Sequence, residues 1–196
     1  MSQSLAPGLL IASPPLGDPN FDRTVVLLAL HSEEGALGFV VNRTAARLTL
    51  GELLEHAGYE GLSPDSSPVW IGGPVQPQSA WVLLDDPTVE PGEGVIEVGS
   101  RLRVSSSRAQ FDQIAEQLRK RRRGRGGLAR LMVMLGYSGW APEQLEGEIA
   151  RGAWLPVPLD ESIVFDVDAE ERWEKAFALL GLKPVDGMSM RGIGQA

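Results

Sequence analysis

Glycine and proline cut this chain into short apolar runs, and that division decides most of what it can become. The longest uninterrupted apolar run covers residues 25–30, which is strand length and far short of the ~20 residues a membrane-spanning helix needs. Residues 8–12, 24–31 and 37–42 read as strands, the last two joined by Ser32-Glu33-Glu34-Gly35 as a hairpin with glycine in its loop. Leu50, Leu53, Leu54 and Ala57 mark a helix entered at Thr49, its N-cap, and left at Gly58. Short strands follow at 69–71, halting at Gly72-Gly73-Pro74, and at 80–84, before Asp85-Asp86-Pro87; weaker ones lie at 95–98 and 102–104.

The second half repeats the plan with more helix. Phe111, Ile114, Ala115 and Leu118 recur at i, i+3, i+4 and i+7, which predicts an amphipathic helix over 107–121. Residues 128–135 read as a strand, 136–140 as a turn, and Pro142 as the opening of a helix that carries Leu145 and Ile149 and ends at Gly152. Strands are expected at 154–157 and 163–167. Asp168-Ala169-Glu170-Glu171 then has the pattern of a helix start, with Trp173, Ala176, Phe177 and Leu180 on one face as far as Gly181. No internal repeat or heptad series is visible. The pattern gives a single α+β domain over residues 1–184 and a flexible C-terminal tail over 185–196, where periodicity is lost.

Composition removes several functional classes. The chain has no cysteine, which excludes disulfides, thiolate nucleophiles, cysteine-type zinc sites and iron–sulfur centres. Before Arg23 there is no Lys or Arg, and Leu9-Leu10-Ile11-Ala12 soon meets Pro14-Pro15, a pattern of neither a signal peptide nor a membrane span. The expectation is a soluble, cytoplasmic protein with no membrane partner. His31 and His56 are the only histidines and lack ligand-like spacing. No serine sits in a Gly-x-Ser-x-Gly elbow, and Glu33-Glu34 and Asp85-Asp86 fall in turns, where solvent keeps them ordinary acids. No catalytic residue, metal ligand or cofactor is therefore assigned.

Charge is unevenly distributed. Residues 107–130 carry a local balance of +6 within a chain of net charge −8, so the remainder sums to −14. Arg119, Lys120, Arg121, Arg122, Arg123 and Arg125 form a candidate anion or nucleic-acid patch, since clustered guanidinium groups displace phosphate counterions. The reading favoured for these cations is the solvated end of the predicted helix, where the helix dipole stabilises them by ~0.3–1 kcal/mol each.

Read in order, Leu9-Leu10-Ile11-Ala12, Asp18-Pro19-x-Phe21-x-Arg23, His31, Gly35-Ala36-x-Gly38-x-Val40-x-Asn42-Arg43, Gly72-Gly73-Pro74-Val75, Gly136-Tyr137-x-Gly139-Trp140, Gln144-Leu145-Glu146, Gly152-x-Trp154-Leu155 and Phe165-Asp166 resemble the YqgE/AlgH family over most of the chain. The resemblance implies an α+β domain whose mainly antiparallel, bifurcated sheet folds into a pseudo-barrel with flanking helices. It implies no agreed catalytic residue, and the family's label of transcriptional regulator names no mechanism. The stretch at 119–125 is unusually basic for that family, so a nucleic-acid role drawn from it would belong to this chain.

Three readings of function follow. One is a non-catalytic regulatory or interaction module whose partner is another protein. Another is a binder of a small anion or nucleotide-like ligand: Asn42 and Arg43 offer an amide and a five-donor guanidinium, Gly72-Gly73-Pro74 could lend backbone N–H groups, and Trp140 could wall a pocket. Each of these residues also has a structural reading, as strand end, sheet corner or packed aromatic. In the turn at 18–23, Phe21 can anchor in the core and Asp18 or Asp22 can hold Arg23 through charge-assisted hydrogen bonds. The third reading is nucleic-acid binding through the basic stretch.

Overall fold

The computed structural model describes residues 4–14, 17–62, 65–90, 92–122 and 130–181, apart from the side chains of 121 and 122. The chain divides into two compact units, one formed by Met1–Arg43 with Ser138–Ala196 and the other by Thr44–Tyr137.

In the first unit, strands β1 (Gly8–Ala12), β2 (Val25–Ser32) and β3 (Gly35–Val40) are antiparallel neighbours, and β10 (Trp154–Pro158) lies on the other side of β1. The last three residues of β9 (Leu131–Trp140) pair with β3, Trp140 opposite Ala36. Every residue of β1 is buried, which is why it reads as an unbroken apolar run without alternation. Leu10, Ala12, Val26, Leu28 and Val40 share a core with Trp140, Leu145 and Trp154. Leu145 comes from α3 (Gln144–Ala150). α5 (Arg172–Leu179) packs along β1 and β2, with the Trp173 indole donating to the Ala12 carbonyl at 2.9 Å. Pro156 and Pro158 sit on β10, which pairs only with β1 among the described residues. Proline is tolerated at a sheet margin because the ladder there needs no donor.

In the second unit the strand path is β7 (Val95–Val98), β8 (Leu102–Ser105), β6 (Val75–Asp85), β9, β5 (Pro68–Ile71) and β4 (Thr44–Thr49). All pairings are antiparallel except β5 with β9. α1 (Leu50–His56) and α2 (Arg108–Arg122) cover this sheet: Leu50, Leu54, Ile114, Ala115 and Leu118 share a core with Val69, Val82, Leu84 and Val133. Thr49 is the N-cap of α1 and forms a capping box with Glu52, the reciprocal pattern that satisfies two orphan helix donors. The α2 stripe and the α1 cap are where periodicity and cap chemistry put them.

The fold class is α+β with a mainly antiparallel sheet, and the sheet path forks at β9, which pairs with β3, β5 and β6. Among the described residues no helix is long and apolar enough to cross a membrane. Four local expectations change. The expected turn at 136–140 is strand, because Ser138 and Trp140 alternate inward and Gly136 accommodates the bulged register opposite β6. β6 begins at Val75, ahead of the expected residue 80. Residues 161–165 form α4 (Glu161–Phe165) instead of a strand, since Asp160 caps Ser162 through its N–H at 2.9 Å and its hydroxyl at 2.6 Å. That local cap outweighs the strand preference of Ile163 and Val164. α5 starts only at Arg172, with the Asp168 carbonyl accepting from Glu171 and Arg172 in a preceding turn. The expected tail at 185–196 lies outside the described residues.

Candidate functional site

In the first unit, the polar motif residues converge on the loop at 18–23. This loop folds on itself: the Asp18 carboxylate accepts from the Asn20 N–H at 2.8 Å, and Phe21 donates to the Asp18 carbonyl at 2.9 Å, an Asx turn. Arg43 then grips it from outside the turn. Nη1 donates to the carbonyls of Pro19 at 3.2 Å and Asn20 at 2.7 Å, and Nη2 donates to Asp22 at 2.7 Å. Asn42 closes the base, its Oδ1 accepting from Val25 N–H at 2.9 Å and its Nδ2 donating to the Arg23 carbonyl at 2.8 Å. A rigid guanidinium fork suits several convergent carbonyls as well as it suits an anion. Here its described partners are all backbone oxygens of one loop.

Arg23 ends the loop in the left-handed region, with a φ of 52°, a conformation that non-glycine residues adopt only when neighbours impose it. Its guanidinium lies 5.3 Å from the Trp173 ring centroid, within cation–π range. In place of the carboxylates of Asp18 and Asp22 expected from the sequence, the structure gives this guanidinium an aromatic face. Arg172, beside Trp173, is buried and donates to the carbonyls of Val41 and Val167. Burial lowers its pKa to about 10, with Asp168 opposing the shift, so it stays charged at neutral pH.

Trp140 is also tied inward. Its indole N–H and that of Trp154 both donate to Glu148 Oε2, at 2.9 and 2.8 Å, while Gln144 donates to Oε1 at 2.9 Å. Phe21, carried by the clamped loop, stacks with Trp140 at 6.4 Å and meets Trp154 edge-on at 5.2 Å. Asn42, Arg43 and Trp140 are therefore linked through one loop. Sequence reasoning misses Glu148, because a glutamate four residues after Gln144 on a short helix carries no distinguishing signal.

His31 is held at both ring nitrogens. Leu5 N–H donates to Nδ1 at 3.0 Å, and Nε2 lies 2.9 Å from Glu146 Oε1. The Glu146 carboxyl sits below its ordinary pKa, its own backbone N–H contributing most and His31 next.

Gly72, Gly73 and Pro74 belong to the second unit. Gly72 N–H donates to the Leu135 carbonyl at 2.8 Å, and both glycines are buried. Gly136, with a φ of 69°, faces the corner: a Cβ there would strike the Gly73 carbonyl and come within 2.9 Å of Val75 O and 3.2 Å of Pro77 Cα. The corner is a close approach of backbones.

The basic stretch is described only in part. Arg119 and Lys120 lie on the last turns of α2, Lys120 pairing with Glu116 at 3.8 Å. Arg121 and Arg122 are placed as backbone alone, and Arg123 and Arg125 lie outside the described residues. Asp85, expected to be a solvated turn acid, ends β6 with its side chain buried. It takes Arg101 at 2.8 Å and Arg130 at 3.1 Å, pairs that span sequence separations no local pattern reveals.

The fold and these sites define an α+β protein whose conspicuous polar and aromatic motif residues brace the backbone. The family model described as AlgH-like (DUF179) matches residues 9–185. A UPF0301 protein of Anaeromyxobacter dehalogenans is 43% identical over 188 residues, covering 92% of this chain and 90% of that one. Another from Sphingopyxis alaskensis is 38% identical, covering 89% and 88%. Among solved structures, AlgH from Pseudomonas aeruginosa superposes with a TM-score of 0.74 at 35% identity over the full length of both chains. A protein of Corynebacterium diphtheriae shares the fold, with a TM-score of 0.65 at 21% identity over 90% and 87%. The chain belongs to the AlgH-like family.

Proposed function

We propose that this protein is a non-catalytic interaction module that presents the loop at 18–23 to a protein partner, in keeping with a regulatory role. The observation that carries this reading is the Asn42–Arg43 clamp, which holds five backbone groups in and around that loop. Turned inward, the carbonyls leave Pro19, Asn20, Asp22 and Arg23 facing solvent. Such a surface has lost its conformational freedom before binding, which lowers the entropic cost of association. Arginine braced on tryptophan is a residue type enriched at interface hot spots. The reading includes a cytoplasmic location, supported by a chain without cysteine.

The test is affinity capture with three forms: wild type, Asn20→Lys/Asp22→Lys, and Arg23→Glu. The surface variants should melt within a few degrees of wild type yet lose the captured partner, whose binding is then remeasured with purified components. Capture unchanged by both variants would sink the proposal. Thermal shifts against nucleotides, phosphosugars and short oligonucleotides at two salt concentrations distinguish the alternatives. A shift with small anions alone favours a ligand site, and a salt-sensitive shift with oligonucleotides alone favours the basic stretch.

A further inference from the structure

We infer that His31 is a proton-operated latch for the N-terminal segment 4–7 of the first unit. A backbone amide can only donate, so the Leu5 N–H at 3.0 Å from Nδ1 fixes that nitrogen as the acceptor and places the ring proton on Nε2, which donates to Glu146 Oε1 at 2.9 Å. Ser4 adds a second tie, its hydroxyl donating to the His31 carbonyl at 3.1 Å. Only 4% of the His31 side chain is exposed, so the ring's two partners are protein groups held close to it.

Neutral imidazole satisfies both partners. When a second proton enters at Nδ1, Nε2–H keeps Glu146 as an ion pair while Nδ1–H confronts the Leu5 N–H. Glu146 and Leu5 thus pull the same ring toward opposite protonation states. The surroundings add little else: β1, β3 and the segment 4–7 carry no titratable side chain, and Glu33 and Glu34 lie exposed in the adjoining turn. On α3, Glu148 is taken by the two indoles. The segment covers apolar surface, since Leu5 and Ala6 pack against the core that includes Leu10, Val26 and Trp154. Charging His31 therefore loosens a lid over that core.

The test is NMR of the intact protein from pH 8 to 5, following the His31 ring nitrogens and the Leu5 amide together. The expected result is an Nε2–H tautomer at pH 8, and Leu5 amide exchange, corrected for intrinsic pH dependence, rising about tenfold with the His31 titration while Val26 is unchanged. Glu146→Gln should lower the midpoint. His31→Gln should remove the pH dependence at Leu5. A His31 that stays neutral to pH 5, or that titrates without moving Leu5, overturns the inference.

Discussion

The two units shape their glycine- and arginine-bearing motifs by opposite means. In the first, Asn42 and Arg43 hold the 18–23 loop by adding hydrogen bonds to its backbone. In the second, Gly136 lets its backbone meet that of Gly73, Val75 and Pro77 by leaving a side chain out. The first device produces a braced, outward-facing surface. The second produces a closed corner whose Gly72 N–H already serves the sheet. Similar motif density in a sequence therefore points to a presented surface in one case and to packing in the other, and the deciding quantity is which backbone groups remain available.

The corner should break most severely. Gly136→Ala combines a φ of 69° with contacts to three backbone atoms, and denaturant unfolding should show a loss of about 3 kcal/mol or more. Gly58→Ala, with a φ of 91° and open space around it, is the control and should cost only about 1 kcal/mol. Equal losses would mean that backbone conformation, and not the close approach, defines the corner.

The clamp should give more gently. Arg43→Met removes three hydrogen bonds to carbonyls of a solvent-facing loop, an expected loss of about 2 kcal/mol, since water can replace part of them. Arg43→Lys should recover little of it because a point charge cannot span three acceptors. Full recovery by lysine would show that charge alone holds the loop.

Glu148→Gln sharpens the link between loop and aromatic core. Because both indoles donate to one oxygen, the amide NH2 opposes either the two indole donors or the Gln144 amide, and calorimetry should register about 1–2 kcal/mol. Smallest is the pH effect of Glu146. Its folded pKa lies below the ordinary value, so its stabilisation is present at neutral pH, complete above the ordinary carboxylate range, and lost as pH falls through the folded value. Glu146→Gln should flatten that part of the acid unfolding curve, and an unchanged curve would assign the slope to other carboxylates.

Much of this architecture is legible in the order of residues alone. The α2 stripe of Ile114, Ala115 and Leu118 and the Thr49 cap are local and periodic, so they can be read directly. β4 escapes because Thr44–Thr49 is largely exposed and lacks a strand's alternation. The 163–167 region misleads because one cap at Asp160 outweighs the β-branched residues after it. At the site, sequence places Asn42 and Arg43 at a strand end, but their donors' targets lie about twenty residues upstream. Asp85 joins Arg101 and Arg130 only after three strands have aligned. Patterns report neighbours along the chain, and these contacts are made across it.

Pro156 and Pro158 on β10 bear on how the protein tolerates its own concentration. A margin interrupted by two residues without N–H groups is a poor template for another extended chain. Crowded molecules are thereby denied one route to stacking into fibres, because an incoming strand would find carbonyl acceptors at those two positions without the donors that complete a ladder.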